Sequence, residues 1–270
     1  MRSMLPMRAP RRVGRTSWPA RWAALVVVVS QVLLFGVIGA APAMAKMPQL
    51  DHFYCYPAKG EAIGDKVLLK DQFDKTFVAA QVGLPTRFCN PVTKVHDNVV
   101  TKIMNPDAHL TFYRITPVSP AARWVAVYNQ FGAQKLMTGA AVELAVPTFK
   151  MLPGHEPPKD LDHFKCYRAA GQRVDETVVL QDQFLAAKAR VGAPVLFCNP
   201  TIKIHANTTT KIQNPAAHLT CYRTLPSPQF AKVVPVSNQF GKAKLSLSSP
   251  NVLCVPSLKT AWGPLPVTTG

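Results

Sequence analysis

The segment Leu-Asp-His-Phe-Lys-Cys-Tyr at residues 161–167 repeats a segment near the start of the chain, Leu-Asp-His-Phe-Tyr-Cys-Tyr at residues 50–56. Both segments lead to the same Phe-Cys-Asn-Pro motif, at residues 88–91 in the earlier copy and 197–200 in the later one. The chain of 270 residues therefore contains two related copies of a cysteine-bearing unit.

Each copy is itself double, so the chain consists of four related quarters, numbered 1 to 4 in sequence order. A quarter reads His-x-x-Cys-Tyr, then a segment ending in Asp-Gln-Phe or Asn-Gln-Phe, then Cys-x-Pro. Quarter 2 departs from this pattern, because Phe112 and Ala145 stand at its two cysteine positions.

The absence of both cysteines from quarter 2 predicts how the six cysteines pair. Loss of one partner alone would leave an unpaired thiol, so joint loss indicates that the two positions are bonded in the other quarters. The predicted disulfides are Cys55–Cys89, Cys166–Cys198 and Cys221–Cys254. Each closes a loop of roughly 33 residues and contributes about 3–4 kcal/mol in the loop-entropy description.

The N-terminal 45 residues are typical of a secretory signal. They contain six arginines and no acidic residue, hold an apolar stretch from Trp22 to Ala40, and end in the small-x-small sequence Ala43-Met44-Ala45. We expect cleavage before Lys46 and a secreted, periplasmic or cell-surface location, where cysteines are oxidised. An uncleaved membrane anchor is the alternative, since the apolar stretch is long for a signal.

The chain is basic, with a net charge of +17 that falls to +11 once the six N-terminal arginines are removed. The remaining Lys and Arg residues are scattered singly, without a basic run or a basic face with interleaved aromatics. This indicates either a cationic surface with no particular partner or attraction to a polyanion such as cell-surface polysaccharide. It predicts no specific nucleic-acid partner, and a membrane contact only through an uncleaved signal.

The local pattern predicts an all-β protein. Along residues 66–73, one set of alternate positions holds Val67, Leu69, Asp71 and Phe73, and the other holds Leu68, Lys70 and Gln72. Short strand-like runs recur between Asn-Pro, Pro and Gly punctuation. We expect two tandem β-sandwich or small-barrel domains, each with an internal pseudo-two-fold repeat and stapled by disulfides. The predicted boundaries are 46–150 and 161–262, with a Pro-rich linker at 151–160 and a tail at 263–270. One short Ala-rich helix is expected from Leu185 to Arg190.

The residue that opens each Asp/Asn-Gln-Phe segment is a candidate for function. It is Asp71, Asn129, Asp182 and Asn238 in quarters 1 to 4. Because Asp and Asn share an acceptor oxygen but not a charge, a common structural role needs only the acceptor, and a bond to a turn amide fits. The alternative is that Asp71 and Asp182 belong to a site found only in quarters 1 and 3.

The histidines present a similar choice. One histidine position recurs in every quarter, which favours a strand-end hydrogen bond over catalysis: His52, His109, His163 and His218. His96 and His205 occur only in quarters 1 and 3, where Asp71 or Asp182 would complete an acid–base or metal site with them.

Other chemical signals are missing from the sequence. There is no G-x-S-x-G elbow, no P-loop and no G-x-G-x-x-G, so we predict no catalytic residue, cofactor or metal. A tyrosine follows the first cysteine position of every quarter and is a packing residue first, with a sugar-contacting ring as the alternative: Tyr56, Tyr113, Tyr167 and Tyr222.

The string of motifs, best preserved in residues 161–259, resembles an uncharacterised domain family of exported bacterial proteins. The resemblance implies export and a tandem architecture, and it implies no activity. The function expected is an exported, non-enzymatic structural or binding module. The alternatives are a secreted hydrolase that uses the Asp and His residues of quarters 1 and 3, and a polyanion- or carbohydrate-binding protein.

Overall fold

The computed structural model describes residues 47–117, 122–151, 153 and 157–265. The predicted signal at 1–45 and the last five residues of the predicted tail lie outside the described residues. The described part is all-β, as the sequence predicts, with sixteen strands and no helix.

The strands follow the four quarters of the sequence. Quarter 1 contains β1 (His52–Lys59), β2 (Lys66–Lys70), β3 (Val78–His96) and β4 (Val99–Thr101). Quarter 2 contains β5 (His109–Thr116), β6 (Arg123–Asn129) and β7 (Gly132–Lys150). Quarter 3 contains β8 (Phe164–Ala170), β9 (Thr177–Gln181), β10 (Ala186–Pro200), β11 (Ile202–His205) and β12 (Thr208–Thr210). Quarter 4 contains β13 (His218–Leu225), β14 (Ala231–Asn238), β15 (Gly241–Ser248) and β16 (Val252–Pro264).

Eight of these strands, two from each quarter, pair side by side in a closed antiparallel ring. Their order is β1, β3, β5, β7, β8, β10, β13 and β16, and β16 then pairs with β1. At the closure, Phe53 is opposite Cys254 and Tyr54 is opposite Leu253. We call this small barrel the central ring.

The inside of the central ring is filled by side chains, as is usual for eight strands. One buried cluster draws on all eight ring strands and contains all six cysteines. The disulfides are Cys55–Cys89, Cys166–Cys198 and Cys221–Cys254, which are the predicted pairs. Phe112 and Ala145 are directly opposite each other on β5 and β7 and are fully buried in the same cluster.

The outer face of the central ring is also buried, because hairpins from each quarter fold over it. The long strand β3 belongs both to an outer hairpin and to the ring. Its first residues pair with β2 in the hairpin, and its later residues pair with β1 in the ring. Two outer apolar clusters result, one containing Tyr56 and Tyr222 and the other containing Tyr113 and Tyr167. Burial on both faces makes consecutive residues of a ring strand buried, as in the first five residues of β5 and of β13.

The two sequence copies are not separate compact units, because residues 44–270 form one unit. The predicted domains 46–150 and 161–262 are repeats of sequence whose strands pair with one another, at β7–β8 and at β16–β1. Each copy supplies four ring strands and would alone leave two open strand edges, which the other copy covers. The predicted linker, residues 151–160, lies between β7 and β8 in the sequence.

The prediction of a helix at Leu185–Arg190 is wrong. From Ala186 onward the segment belongs to β10 and pairs with β9, with Ala187 opposite Leu180 and Ala189 opposite Val178. Ala189 and Val191 are buried in an outer cluster. The helix propensity of alanine is worth only tenths of a kcal/mol per residue, so strand pairing and burial override it.

Candidate functional site

The Asp/Asn-Gln-Phe segment of each quarter folds onto the tyrosine of the quarter two places away. The hydroxyl groups of Tyr167 and Tyr56 donate hydrogen bonds to Asp71 and Asp182, each at 2.8 Å. Asn129 and Asn238 instead donate to the hydroxyl groups of Tyr222 and Tyr113, at 2.9 and 2.8 Å. The phenylalanine two residues later packs on the same tyrosine in every quarter, with ring centroids 5.1–5.5 Å apart.

The acceptor role predicted for the first residue of this segment is confirmed. Asp71 Oδ1 accepts a hydrogen bond from the N–H of Phe73 at 2.8 Å, and Asp182 Oδ1 accepts one from Phe184 at the same distance. The asparagines of quarters 2 and 4 make the same bond to the amide two residues on. This bond closes the turn that presents the phenylalanine ring to the tyrosine.

Asp71 lies at the centre of the more highly charged of the two acidic turns. Its Oδ2 accepts from Tyr167 and from Asn199 Nδ2, the latter at 3.2 Å. Burial raises the pKa of Asp71 to about 6, while the nearby charge of Lys165 acts to lower it. Lys165 Nζ contacts both carboxylate oxygens of Asp74 at 2.9 Å.

Asp182 has the equivalent place in quarter 3, with a simpler set of partners. Its Oδ2 accepts from Tyr56 and, at 3.1 Å, from Asn90 Nδ2. Burial, and then the charge of Asp182, raise the pKa of Tyr56 well above its usual value. The four tyrosines that follow the first cysteine position are no more than 2% exposed, so their rings pack under the turns and do not face a sugar.

One lysine from each quarter lies over the phenylalanine of the next turn. Lys94 Nζ is 5.5 Å from the Phe131 ring centroid, and Lys150 Nζ is 4.9 Å from that of Phe184. Lys203 and Lys259 take the equivalent places over Phe240 and Phe73. Burial lowers the pKa of each of these four lysines to about 8, and the aromatic faces stabilise their charged forms.

The histidine that recurs in every quarter is buried in each of them. Burial lowers the pKa of His52, His163 and His218 to about 3, so they are neutral at pH 7. The ring of His218 stacks on Phe197, with centroids 5.7 Å apart. The predicted hydrogen bond is present for His163, which contacts the Gln239 side chain, whereas His52 Nε2 has no partner among the described residues.

His96 and His205 meet acids other than the predicted ones. His96 Nε2 is 3.5 Å from a carboxylate oxygen of Asp97 and 3.7 Å from one of Glu176. His205 Nε2 is 2.9 Å from a carboxylate oxygen of Asp65. Both histidines lie at hairpin ends, whereas Asp71 and Asp182 turn inward to bind tyrosines. Within the described ranges, no three His, Cys, Asp or Glu side chains are grouped so as to hold a metal ion.

A cavity of about 590 Å³ lies at one end of the central ring, where β3, β5, β7, β8 and β10 meet. Three of its lining side chains are cationic, Arg87, Arg114 and Arg168, and one is acidic, Glu143. Glu143 forms an ion pair with Arg87. Arg114 and Arg168 are exposed and have no acidic partner in the described part of the chain, so the cavity keeps an excess of positive charge.

This cavity is not evident from the sequence, because its charged residues are far apart along the chain. One signal was present: an arginine follows the recurring tyrosine in three quarters, as Tyr113-Arg114, Tyr167-Arg168 and Tyr222-Arg223. Arg223 lines a second cavity, of about 390 Å³, further along β10. The repeat therefore places these arginines toward the same end of the central ring.

A family described as a repeat of unknown function (DUF7450) matches the chain twice, over residues 24–146 and 109–256. The chain belongs to this family. The two matches overlap in quarter 2, consistent with a repeat in which neighbouring quarters are alike. Comparison with curated proteins gives no match, and comparison with solved structures gives none either.

The three disulfides indicate an oxidising, exported environment for this DUF7450 protein. None of its described residues belongs to a helix that could cross a lipid bilayer.

Proposed function

We propose that this protein is an exported, non-enzymatic binding module that holds anionic groups of an extracellular or cell-surface polysaccharide in the arginine cavity of the central ring. The observation that carries the proposal is the pair Arg114 and Arg168, two exposed guanidinium groups without an acidic partner in the described residues, on the wall of one cavity. Guanidinium groups bind carboxylate and sulfate in a planar, two-pronged geometry.

The size of the cavity and the burial of the aromatic rings favour a small anionic segment as ligand over a long nucleic-acid backbone. Its volume of about 590 Å³ lies within the range typical of small-ligand sites. Binding of single-stranded nucleic acid uses a basic groove with exposed aromatic platforms, whereas the tyrosines and phenylalanines of the four turns are buried or packed on one another. A sugar acid or sulfated sugar is therefore the better fit.

The placement of the acidic and histidine side chains supports a non-enzymatic function. The carboxylate oxygens of Asp71 and Asp182 accept hydrogen bonds from tyrosine hydroxyl groups, asparagine side chains and turn amides. His96 and His205 are paired with different acids at separate hairpin ends. A hydrolase needs an acid and a base that converge on one accessible bond, and these residues do not converge.

The predicted signal at residues 1–45 and the net charge of +11 that remains without it support export and contact with an anionic surface. Long-range attraction brings the protein to a polyanion, and the arginine cavity then supplies the specific contact. The first effect depends on total charge and the second on Arg114 and Arg168, so they are separable by experiment.

The test measures binding of oligogalacturonate and of a heparin oligosaccharide by isothermal titration calorimetry in 0.15 M salt. The double variant Arg114→Gln/Arg168→Gln is expected to weaken binding at least tenfold, because each lost charge-assisted bond is worth about 1.5–3 kcal/mol. The matched control is Lys102→Gln/Lys211→Gln, which removes the same charge at two exposed loop positions of quarters 1 and 3.

The control variant is expected to bind within about twofold of the parent, since screened surface charges contribute little at this salt concentration. Equal weakening in the two double variants would mean that only total charge matters, and the cavity would then not be the binding site.

A further inference from the structure

The Asp71 turn brings an amine, an amide and a carboxyl group together from three different quarters. Lys259 Nζ, from β16, is 3.1 Å from the side-chain carbonyl oxygen of Asn199 on β10. The amide nitrogen of the same Asn199 is 3.2 Å from Asp71 Oδ2. The amine thus donates a hydrogen bond to the oxygen of the carbonyl group that it would attack, and the nitrogen that would leave donates one to the carboxyl group.

Burial of Lys259 favours its neutral, reactive form, although the two aromatic rings beside it stabilise the charged form. Its Nζ lies 4.7 Å from the Phe73 ring centroid and 5.6 Å from that of Trp262. Burial lowers the pKa of Lys259 to about 8, so about a tenth of the amine is neutral at pH 7. A neutral, desolvated lysine is the form that acts as a nucleophile.

We propose that Lys259 and Asn199 form an intramolecular isopeptide bond in the folded protein. Lys259 Nζ attacks the Asn199 Cγ carbonyl carbon, a new C–N bond forms, and the original Cγ–Nδ2 bond breaks. Starting from the neutral amine of Lys259 and the carboxamide of Asn199, the products are a secondary amide and ammonia. Charge and hydrogen atoms balance, and no oxidant, reductant or other co-reactant is required.

Asp71 acts as the catalytic acid–base group of this step. It lies against Asn199 Nδ2, takes a proton from the attacking nitrogen and passes it to the departing one, which leaves as ammonia. Burial raises the pKa of Asp71 to about 6. A group whose pKa is this near to neutral pH can both take up and release a proton. The fixed positions of the three groups supply a high effective concentration, which makes an otherwise very slow amine–amide exchange feasible.

The neighbouring residue closes off a competing reaction of Asn199. Asparagine commonly loses ammonia by attack of the following backbone N–H on its own Cγ. Residue 200 is proline, which has no backbone N–H. Loss of ammonia from Asn199 is therefore directed to Lys259.

The related site in quarters 1 to 3 provides a comparison within the same molecule. Asn90 Nδ2 contacts Asp182 at 3.1 Å, and Lys150 lies over Phe184. Asn90 Oδ1, however, has no hydrogen-bond partner among the described residues, so Lys150 is not placed against it as Lys259 is against Asn199. We therefore propose one bond and use Lys150 as the control.

The test is mass spectrometry of the reduced, alkylated and trypsin-digested wild-type protein. Trypsin cleaves after Arg190, Lys203 and Lys244, and it does not cleave after an acylated Lys259. The expected product is residues 191–203 joined to residues 245–270, with a mass one ammonia below the sum of the two peptides. Recovery of 191–203, 245–259 and 260–270 as three separate peptides in full yield would overturn the proposal.

Variants then assign the three roles. Lys259→Arg keeps the charge but removes the nucleophile, and the mass of the intact protein is expected to show no loss of ammonia. Lys150→Arg, the matched control, is expected to retain the loss in full. Asp71→Asn is expected to leave most molecules unlinked after purification. Retention of the linked peptide by Lys259→Arg, or its disappearance in Lys150→Arg, would contradict the assignment. The wild-type digest decides the matter even if a variant does not fold.

Discussion

At the scale of single residues, the four turns use two complementary sets of polar groups for one structural task. Where the turn begins with aspartate, its oxygens meet a donor amide, as with Asp71 and Asn199. Where it begins with asparagine, its amide meets a hydroxyl acceptor, as with Asn129 and Ser257. Donors and acceptors have been exchanged together, so the first residue of every turn keeps hydrogen-bond partners.

The acceptor role of these residues was predictable from the sequence, because it depends on a local bond to an amide two residues away. The tyrosine partner was not predictable, since Tyr167 is 96 residues from Asp71 and only the closed ring brings them together. The carboxylates therefore looked available for chemistry with His96 and His205, although the fold gives them other partners.

The buried histidines predict a loss of stability in acid. Their folded-state pKa of about 3 is below the unfolded value of 6.5, so the unfolded state binds more protons and stability falls as pH drops from about 6.5 toward 3. Asp71 has the opposite effect on stability, because its pKa is raised in the folded state. Between about pH 6 and 4 the folded state therefore binds about one more proton at this residue than the unfolded state does. The free energy of unfolding from urea titrations is expected to fall by about 2–3 kcal/mol per pH unit near pH 5.

The variant His218→Phe keeps a ring against Phe197 and removes one titrating group. It is expected to reduce the slope near pH 5 by about one proton, or about 1.4 kcal/mol per pH unit. Above about pH 8, where these three histidines are neutral in both states, the variant and the parent are expected to have the same slope. A parent whose stability is constant from pH 6.5 to 4.5 would contradict the neutral, buried state of the histidines.

At the scale of strands, the sequence repeat explains the pairing inside the central ring. In quarters 1, 3 and 4 the two cysteines lie directly opposite each other on adjacent strands, and Phe112 and Ala145 occupy the same register positions in quarter 2. The large and small side chains fill the space that two cysteines fill elsewhere. The sequence repeat thus predicted contacts that single residues could not.

The register predicts that a fourth disulfide will form in Phe112→Cys/Ala145→Cys. The bond would close a loop of roughly 33 residues and add about 3–4 kcal/mol, against a loss of about 3–5 kcal/mol from removing the buried ring. The matched control is Phe112→Ala, which loses the ring without gaining a bond. The double variant is expected to exceed this control in free energy of unfolding by about 3 kcal/mol. Two alkylatable thiols in the native double variant would contradict the register.

The strand at residues 186–190 and the grouping of the cavity arginines could not be predicted from the sequence. The segment 185–190 was predicted as a helix from its alanines, but pairing with β9 makes it the start of β10. Arg87, Arg114 and Arg168 looked like scattered charges because the sequence does not say which strand ends meet. In each case the missing information was the long-range pairing of strands, which local propensity and spacing do not contain.

At the scale of the whole molecule, the repeat and the folding unit have different sizes. A copy of two quarters supplies four ring strands, and the ring closes only where the copies meet, at β7–β8 and β16–β1. The arginine cavity depends on the same closure, since Arg87 and Arg114 come from the first copy and Arg168 from the second. The outer turns reinforce it, because Asp71 of the first copy binds Tyr167 of the second.

The most direct test of this closed, shared ring is to produce residues 46–150 and 157–270 as separate proteins and examine each by sedimentation and by two-dimensional NMR. Alone, each copy exposes two ring edges and the tyrosines that the other copy covers. We predict that neither yields a dispersed spectrum as a monomer, and that mixing them, with disulfides allowed to form, restores the spectrum of the full chain. A monomeric copy with a dispersed spectrum and a cooperative unfolding transition would contradict the shared ring.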